Sequence, residues 1–263
     1  MKKQFIVQYY ERIKQNKAFP LYYTNRKYVL FPKDNAVTDS LINGWDYEPY
    51  IWRFLNRNCI SLEGSEVIDV GANNGQFTIE FANLVGDSGK VYSFEPQRII
   101  FQQLCGNVFM NGFDNVYAHH LAVGDKCEDV YIEVPDYFST EKVNFGEPSI
   151  QESGEKVKCV CLDEFKFNKV SLLKCDVQGY EHKVILGAKN TIAKHRPYII
   201  FEVEAHLLEN YDTSEEKLIK EIEGLGYIVK EFEPNIPYNT KSGKCLDRVA
   251  IPKELYEQQE YLI

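Results

Sequence analysis

The sequence predicts an α/β fold: a mostly parallel sheet with helices on both faces. Three observations carry this reading. From residue 66 short apolar runs alternate with longer stretches of helical period, the pattern of successive strand–helix–strand units. The first run, EVIDV at 66–70, passes straight into Gly71-Ala72-Asn73-Asn74-Gly75 and then a helical stretch, as strands of open α/β sheets do at a ligand site. The chain has 263 residues and 44% hydrophobic content, enough for one α/β domain with some decoration.

Taken in order, residues 1–17 place Phe5, Ile6, Tyr9 and Ile13 at near-helical spacing, which predicts a short amphipathic helix and not a secretory signal. PLYYTNRKYVLFP at 20–32 reads as a hairpin around Thr24-Asn25-Arg26. Together, residues 1–45 form an N-terminal extension, and 46–263 form the main domain. That domain opens with a helix carrying Tyr50, Ile51, Phe54 and Leu55 on one side, Asp46 as its N-cap and Pro49 in its first turn. Strands are expected at 66–70, 90–95, 115–123, 170–176 and 198–204, with helices at 76–86, 97–111 and 179–195. A helix near 213–224 and strands at 226–232 and 246–251 close the chain, the last two joined by a Pro- and Asn-rich linker. Residues 135–155 have little period, and Tyr137, Phe138 and Phe145 among polar neighbours suggest an acceptor-binding loop, or else an insertion whose aromatics pack locally.

Composition narrows the function. Lys and Arg number 30 against 39 Asp and Glu, a net charge of −9 with no basic stripe, so nucleic acid is not the expected partner. The longest apolar runs are only a few residues, so no membrane span is expected. Seven cysteines show neither paired CxxC motifs nor an even framework and read as free thiols of a reducing, cytoplasmic compartment.

The chemistry concentrates in three places. Gly71 and Gly75 let the backbone turn at a helix N-terminus, but a dinucleotide fingerprint is broken by Asn73 and Gln76, which disfavours an NAD-dependent oxidoreductase. Glu95 ends the second strand 24 residues after Gly71, where a carboxylate accepts hydrogen bonds from both hydroxyls of a ribose. A glycine turn and a ribose acid without a phosphate site point to S-adenosylmethionine, with Asp69 on the loop amides or the methionyl end. Asp176-Val177-Gln178-Gly179-Tyr180-Glu181 follows the fourth strand, where open sheets place ligands.

VIDVGANNGQFT, FEP, LAVGD at 121–125, CLDEF at 161–165 and LLKCDVQGYEHKVILGAKNTI followed by RPYIIFEVE resemble, in order, the FkbM family of class I S-adenosylmethionine-dependent methyltransferases. The resemblance implies a Rossmann-like seven-stranded sheet of order 3-2-1-4-5-7-6 with the last strand antiparallel, and O-methylation, often of a sugar hydroxyl. It implies that Gly71, Ala72, Asn73, Gly75 and Phe77 line the cofactor turn, Glu95 meets the ribose, and Pro96 and Gln97 lie beside the adenine. His120, Leu121 and Ala122 would contact the adenine edge, and Glu48 would reach the methionyl amino group. Where many members carry Glu, this chain has Gln178.

Methyl transfer to an alcohol needs alignment and removal of the hydroxyl proton, by a general base or by a divalent cation such as Mg²⁺ or Mn²⁺. Asp176 is the candidate catalytic group facing the methyl, with Lys174 positioning the acceptor and His182 or His206 as further bases. Asp176, Glu202 and Glu204 form a candidate set of oxygen ligands for the cation. The expected acceptor is a carbohydrate hydroxyl, free, nucleotide-linked or in a glycan. A non-sugar natural product and a non-catalytic interaction module are the alternatives.

Overall fold

A computed structural model of the protein describes residues 19–23, 26–34, 37–43, 48–137, 139, 141–232, 246–258 and 263. The expected N-terminal helix, the Thr24-Asn25 turn, Phe138 and the 233–245 linker lie outside the described residues. The hairpin is present, β1 (Phe19–Tyr23) antiparallel to β2 (Arg26–Leu30). Helices α1 (Val37–Asn43) and α2 (Pro49–Arg57) follow; α1 was not legible in the sequence. The cap position of α2 is Glu48, in the left-handed region at φ 46°; Asp46, the expected N-cap, lies outside the described residues.

Next come β3 (Glu66–Val70), α3 (Gln76–Val85), β4 (Lys90–Phe94), α4 (Arg98–Asn111) and β5 (Val116–His119). Four short strands intervene: β6 (Ala122–Val123), β7 (Asp129–Ile132), β8 (Ile150–Gln151) and β9 (Glu155–Val160). The chain returns through β10 (Val170–Cys175), α5 (Glu181–Leu186), α6 (Lys189–His195), β11 (Tyr198–Glu202), α7 (Ala205–Glu209) and α8 (Glu215–Gly224). It closes with β12 (Tyr227–Glu231), β13 (Asp247–Pro252) and α9 (Lys253–Tyr256).

The main sheet has seven strands in the order β12-β13-β11-β10-β3-β4-β5, with β13 antiparallel to both neighbours and the other pairs parallel. Numbered among themselves, these strands run 3-2-1-4-5-7-6, as expected. The difference lies in a second, four-stranded sheet, β6-β9-β7-β8, inserted between the third and fourth of them. It splits the predicted 115–123 strand: the run leaves the main sheet after His119, and Ala122 pairs with Cys159. The predicted 179–195 helix is also two, broken at Gly187, where a Cβ would lie 1.9 Å from the Gly124 carbonyl oxygen.

Strand alternation divides the core. One face buries Val67, Leu172, Ile200, Val249 and Ile251 under Ile51, Phe54, Phe77 and Phe81 of α2 and α3. The other buries Ile68, Leu173, Ile199 and Phe201 under Val184, Ile185, Ile192, Leu218 and Ile222 of α5, α6 and α8. Each such side chain contributes roughly 1.5–3 kcal/mol of transfer free energy. Hairpin and main domain are joined by Asn107, fully buried, whose Oδ1 accepts from the Val29 N–H at 2.6 Å and whose Nδ2 donates to the Asn74 carbonyl at 2.8 Å. Among the described residues no helix is long and apolar enough to cross a membrane.

Two glycines should respond oppositely to alanine. Gly71 sits at φ 80°, and a Cβ there would lie 1.8 Å from the Asp176 carbonyl oxygen. Gly71→Ala should therefore lose about 3 kcal/mol or more in urea unfolding. Gly106, inside α4 with nothing within 4 Å of its would-be Cβ, should gain about 0.5–1 kcal/mol as Ala.

Candidate active site

The turn after β3 is a lattice of backbone bonds. The N–H groups of Gly71 and Ala72 both donate to the Phe94 carbonyl at 3.0 Å, and the Asn73 N–H donates to Glu95 Oε2 at 2.9 Å. Asn73, at φ 48°, turns its own Oδ1 onto the Asn74 N–H at 2.7 Å. The room made by the glycines goes to protein: Gly71 faces Asp176, and a Cβ on Gly75 would meet Leu104 Cδ1 at 2.6 Å. The glycines thus let the turn pack closely on the end of β10 and on α4, where Asp176 and Leu104 leave no room for a side chain. Ala72 is buried against Leu104 and Ile79.

Glu95 takes the Gln97 N–H on its other oxygen, Oε1, at 2.8 Å. Burial pushes its carboxyl up to about 7, against the lowering effect of these two backbone donors. The Gln97 side chain is engaged too, donating to the Phe145 carbonyl at 2.8 Å and accepting from the Tyr137 hydroxyl at 2.9 Å. Tyr137 and Phe145 pack with Phe31 and Ile100, so the expected acceptor loop is docked on the β4 side through its aromatics. His120 donates from Nε2 to the Pro96 carbonyl at 2.9 Å and stacks on Phe101, with Leu121 half-buried beside it. Ala122 is buried in the core of the small sheet, where β6 pairs with β9.

The second part of the site is a charged cluster at the carboxyl ends of the strands, on the α2/α3 face. Register builds it: Lys174 lies opposite Asp69, and Glu202 opposite Asp247. Lys174, only 2% exposed, sends Nζ to Asp176 Oδ2 at 3.1 Å and over the Phe77 ring at 4.5 Å from its centroid. Phe77, stacked on Trp52, is thus the floor of the lysine. Burial pulls the Lys174 ammonium down, but Asp176, Glu48, Asp69 and Asp247 together hold it well above the ordinary lysine value. Asp69 accepts from Thr78 Oγ1 at 2.6 Å, while its Oδ1 and Glu48 Oε2 are buried without a hydrogen-bond partner.

Burial, then Asp247, raises Glu48 well above the usual carboxylate range. Glu202 is raised likewise, by burial and then Asp176. Asp247, which accepts from the Tyr50 hydroxyl, is pushed to about 6, burial outweighing the pull of Lys174. Sequence reading missed Asp247 and Tyr50 as site residues: Asp247 opens a strand beside Arg248, as in many surface strands, and Tyr50 reads as part of an apolar helix face.

Gln178, left-handed at φ 57°, places its amide between Asp176 Oδ1 at 3.5 Å and Glu202 Oε2 at 3.1 Å. Glu204 caps α7 instead of continuing the strand. Among the described residues no group of three His, Cys, Asp or Glu side chains is placed to hold a metal ion, so Asp176, Glu202 and Glu204 do not form the expected ligand set. His182 is also displaced from its expected role: its Nδ1 bonds Thr213 Oγ1 at 2.7 Å, on the side facing α8. His206 is exposed on α7. Glu181 accepts from the N–H groups of Val177 at 2.9 Å and Gly179 at 3.3 Å and stabilises the turn into α5.

Sheet order, glycine turn and acid after β4 define a class I methyltransferase. The chain belongs to the methyltransferase FkbM domain family, whose model matches residues 69–229. It is similar in structure to an FkbM methyltransferase from Methylobacillus flagellatus, at 16% identity and TM-score 0.46, over 72% of this chain and 44% of that one. This chain therefore spans less than half the length of that protein. Two other similar structures are a SAM-dependent O-methyltransferase from Thermotoga maritima (14% identity, TM-score 0.48, 85% of this chain and 72% of that one) and an rRNA methylase from Streptococcus thermophilus (15%, 0.45, 76% and 92%). No curated protein matches the sequence.

The raised acids give a stability signature. Glu95 and Glu181 are pushed by burial to about 7, and Asp247 to about 6. Their unfolded values are near 4, so the folded chain keeps protons that the unfolded chain has released, and stability falls as pH rises from about 5 through 7. The ligand-free protein should melt several degrees higher at about pH 6 than at pH 8; a flat or rising midpoint would count against these carboxyls being buried and protonated.

Proposed function

We propose that the protein is an S-adenosylmethionine-dependent O-methyltransferase acting on a carbohydrate hydroxyl. The buried carboxylate of Glu95 at the end of β4 carries the cofactor half of this reading. Two backbone donors fix its oxygens in place, and each keeps a lone pair for a ribose hydroxyl. The unpartnered Asp69 Oδ1 and Glu48 Oε2 fit a cationic methionyl end, which would satisfy atoms that are costly to leave bare. His120, Leu121, Pro96 and Gln97 would border the adenine. S-adenosylmethionine, when bound, supplies an electrophilic methyl group on a sulfonium.

Asp176, partly exposed at the end of β10 beside the glycine turn, orients the acceptor hydroxyl, and Lys174 holds Asp176 in place. The acceptor lies over β10, β11 and β13, where the carboxylates of Asp176, Glu202 and Asp247 suit the hydroxyls of a sugar. The same acids and the net charge of −9 disfavour a phosphate-rich acceptor such as RNA. A cytoplasmic setting agrees with the six free cysteines among the described residues.

Calorimetric titration with S-adenosylhomocysteine should give saturable 1:1 binding, and its absence would remove the cofactor reading. Glu95→Gln, which keeps the shape but loses the charge, should weaken that binding about tenfold or more. Asp176→Asn should leave binding near wild type while slowing methyl transfer at least about 100-fold, checked with radiolabelled methyl donor and a panel of sugars.

A further inference from the structure

Two free thiols meet at the base of the small sheet, away from the charged cluster. Cys127 stands two residues before β7, and Cys161 follows β9 directly. The antiparallel register of these strands, Asp129 opposite Lys158, continues past the strand end, where the Cys159 N–H donates to the Glu128 carbonyl at 2.7 Å. One step further the cysteines face each other across the strand pair, and Cys127 Sγ lies 3.7 Å from Cys161 Sγ. Sulfurs in contact on chains at near cross-strand spacing reach bonding distance by side-chain rotation. Cys127 is exposed and Cys161 half-buried, so an oxidant in solution reaches the pair.

We propose that Cys127 and Cys161 form a redox-responsive disulfide that clamps the base of the small sheet. The step balances with hydrogen peroxide as oxidant. The Cys127 sulfur attacks one peroxide oxygen, the O–O bond breaks, and a sulfenic acid and one water result. The Cys161 sulfur then displaces the hydroxyl as a second water while the S–S bond forms. Both thiol protons leave in the waters, and two electrons pass from the sulfurs to the peroxide.

The surroundings select this pair. Cys159 is buried in the core of the small sheet, with its Sγ packed towards Gly124, and Cys175 is buried under the main sheet. Burial, then Cys127, pushes the Cys161 thiol up to about 11, so Cys161 is the second thiol to react and the exposed Cys127 the first. A reduced state without a stabilised thiolate favours the bridged form. Asp125, Glu128 and Glu164 stand around the thiols and repel an anionic thiol such as glutathione, which leaves the neighbouring cysteine as partner.

The clamp joins two segments that already hold the α5–α6 region. Cys161 leads into Asp163, which accepts from the Asn190 and Thr191 N–H groups at 3.0 and 2.8 Å. On the Cys127 side, Asp125 pairs with Lys183 at 3.2 Å, and the Gly124 carbonyl packs on Gly187. Because the cysteines are 34 residues apart, the bond also constrains the unfolded chain.

The test needs no ligand, so its outcome is independent of the cofactor reading. The reduced full chain, treated with excess hydrogen peroxide at about pH 8, is digested and mapped by mass spectrometry without reductant. The peptide linked through Cys127 and Cys161 should be the main oxidised product. The melting midpoint should rise by about 4 °C or more and return on adding dithiothreitol. Cys127→Ser and Cys161→Ser should each abolish the rise, and Cys105→Ser, on α4, should keep it. A bridge to another cysteine, oxidation of Cys127 to a sulfinic acid with Cys161 left free, or a midpoint unmoved by the bridge would overturn the proposal.

Discussion

The buried ion pair of Lys174 and Asp176 is the interaction around which the rest of the site is arranged. An ammonium taken out of water costs several kcal/mol unless charge and hydrogen bonds surround it, and Lys174 has Asp176 at 3.1 Å, a ring face at 4.5 Å and three more acids in range. Its neighbours follow from that demand. Asp69 lies across the strand pair, Phe77 lies beneath, and Trp52 backs Phe77. Removing the lysine would strand four or five carboxyls in a dry face, so the cluster holds its position in an otherwise apolar layer only as a unit.

That layer also explains why chemistry sits at one end of it. Along β3, β10 and β11 the α2/α3 face is apolar at Val67, Leu172 and Ile200, and turns polar only at the next inward position, where Asp69, Lys174 and Glu202 stand. The antiparallel β13 brings its first residue, Asp247, to the same level, so an acid from the start of a strand meets acids from the ends of others. The close packing of the Gly71 turn on the Asp176 carbonyl then locks the glycine turn to the ion pair. A glycine turn held by hydrogen bonds and a cluster of charged side chains thereby share one wall.

The alternation of strands and helices from residue 66, the glycine turn and Glu95 were legible because each obeys a local rule of period, turn geometry or strand-end placement. What escaped depends on partners distant in sequence. The break at Gly187 follows from the Gly124 carbonyl, and the split after His119 follows from pairing of β6 with β9. Asp247 could not be assigned because its meaning arises from register with Glu202 and from Tyr50, 197 residues away. The expected metal set failed for a related reason. Alternation alone puts Glu202 and Glu204 on one face, but the strand ends at Glu202, and Glu204 is spent starting a helix.

Gln178 shows how finely the charge of the cluster is set. Its backbone takes a left-handed conformation that few residues other than Gly, Asn and Asp adopt readily, and this aims its amide between Asp176 and Glu202. A Glu at this position, as the family resemblance leads one to expect, would set a third carboxylate against those two, each contact repulsive in a site of low effective dielectric. The amide instead donates to both. This chain therefore separates two acids of the cluster with a neutral donor, which leaves Lys174 as the cluster's own buried cation.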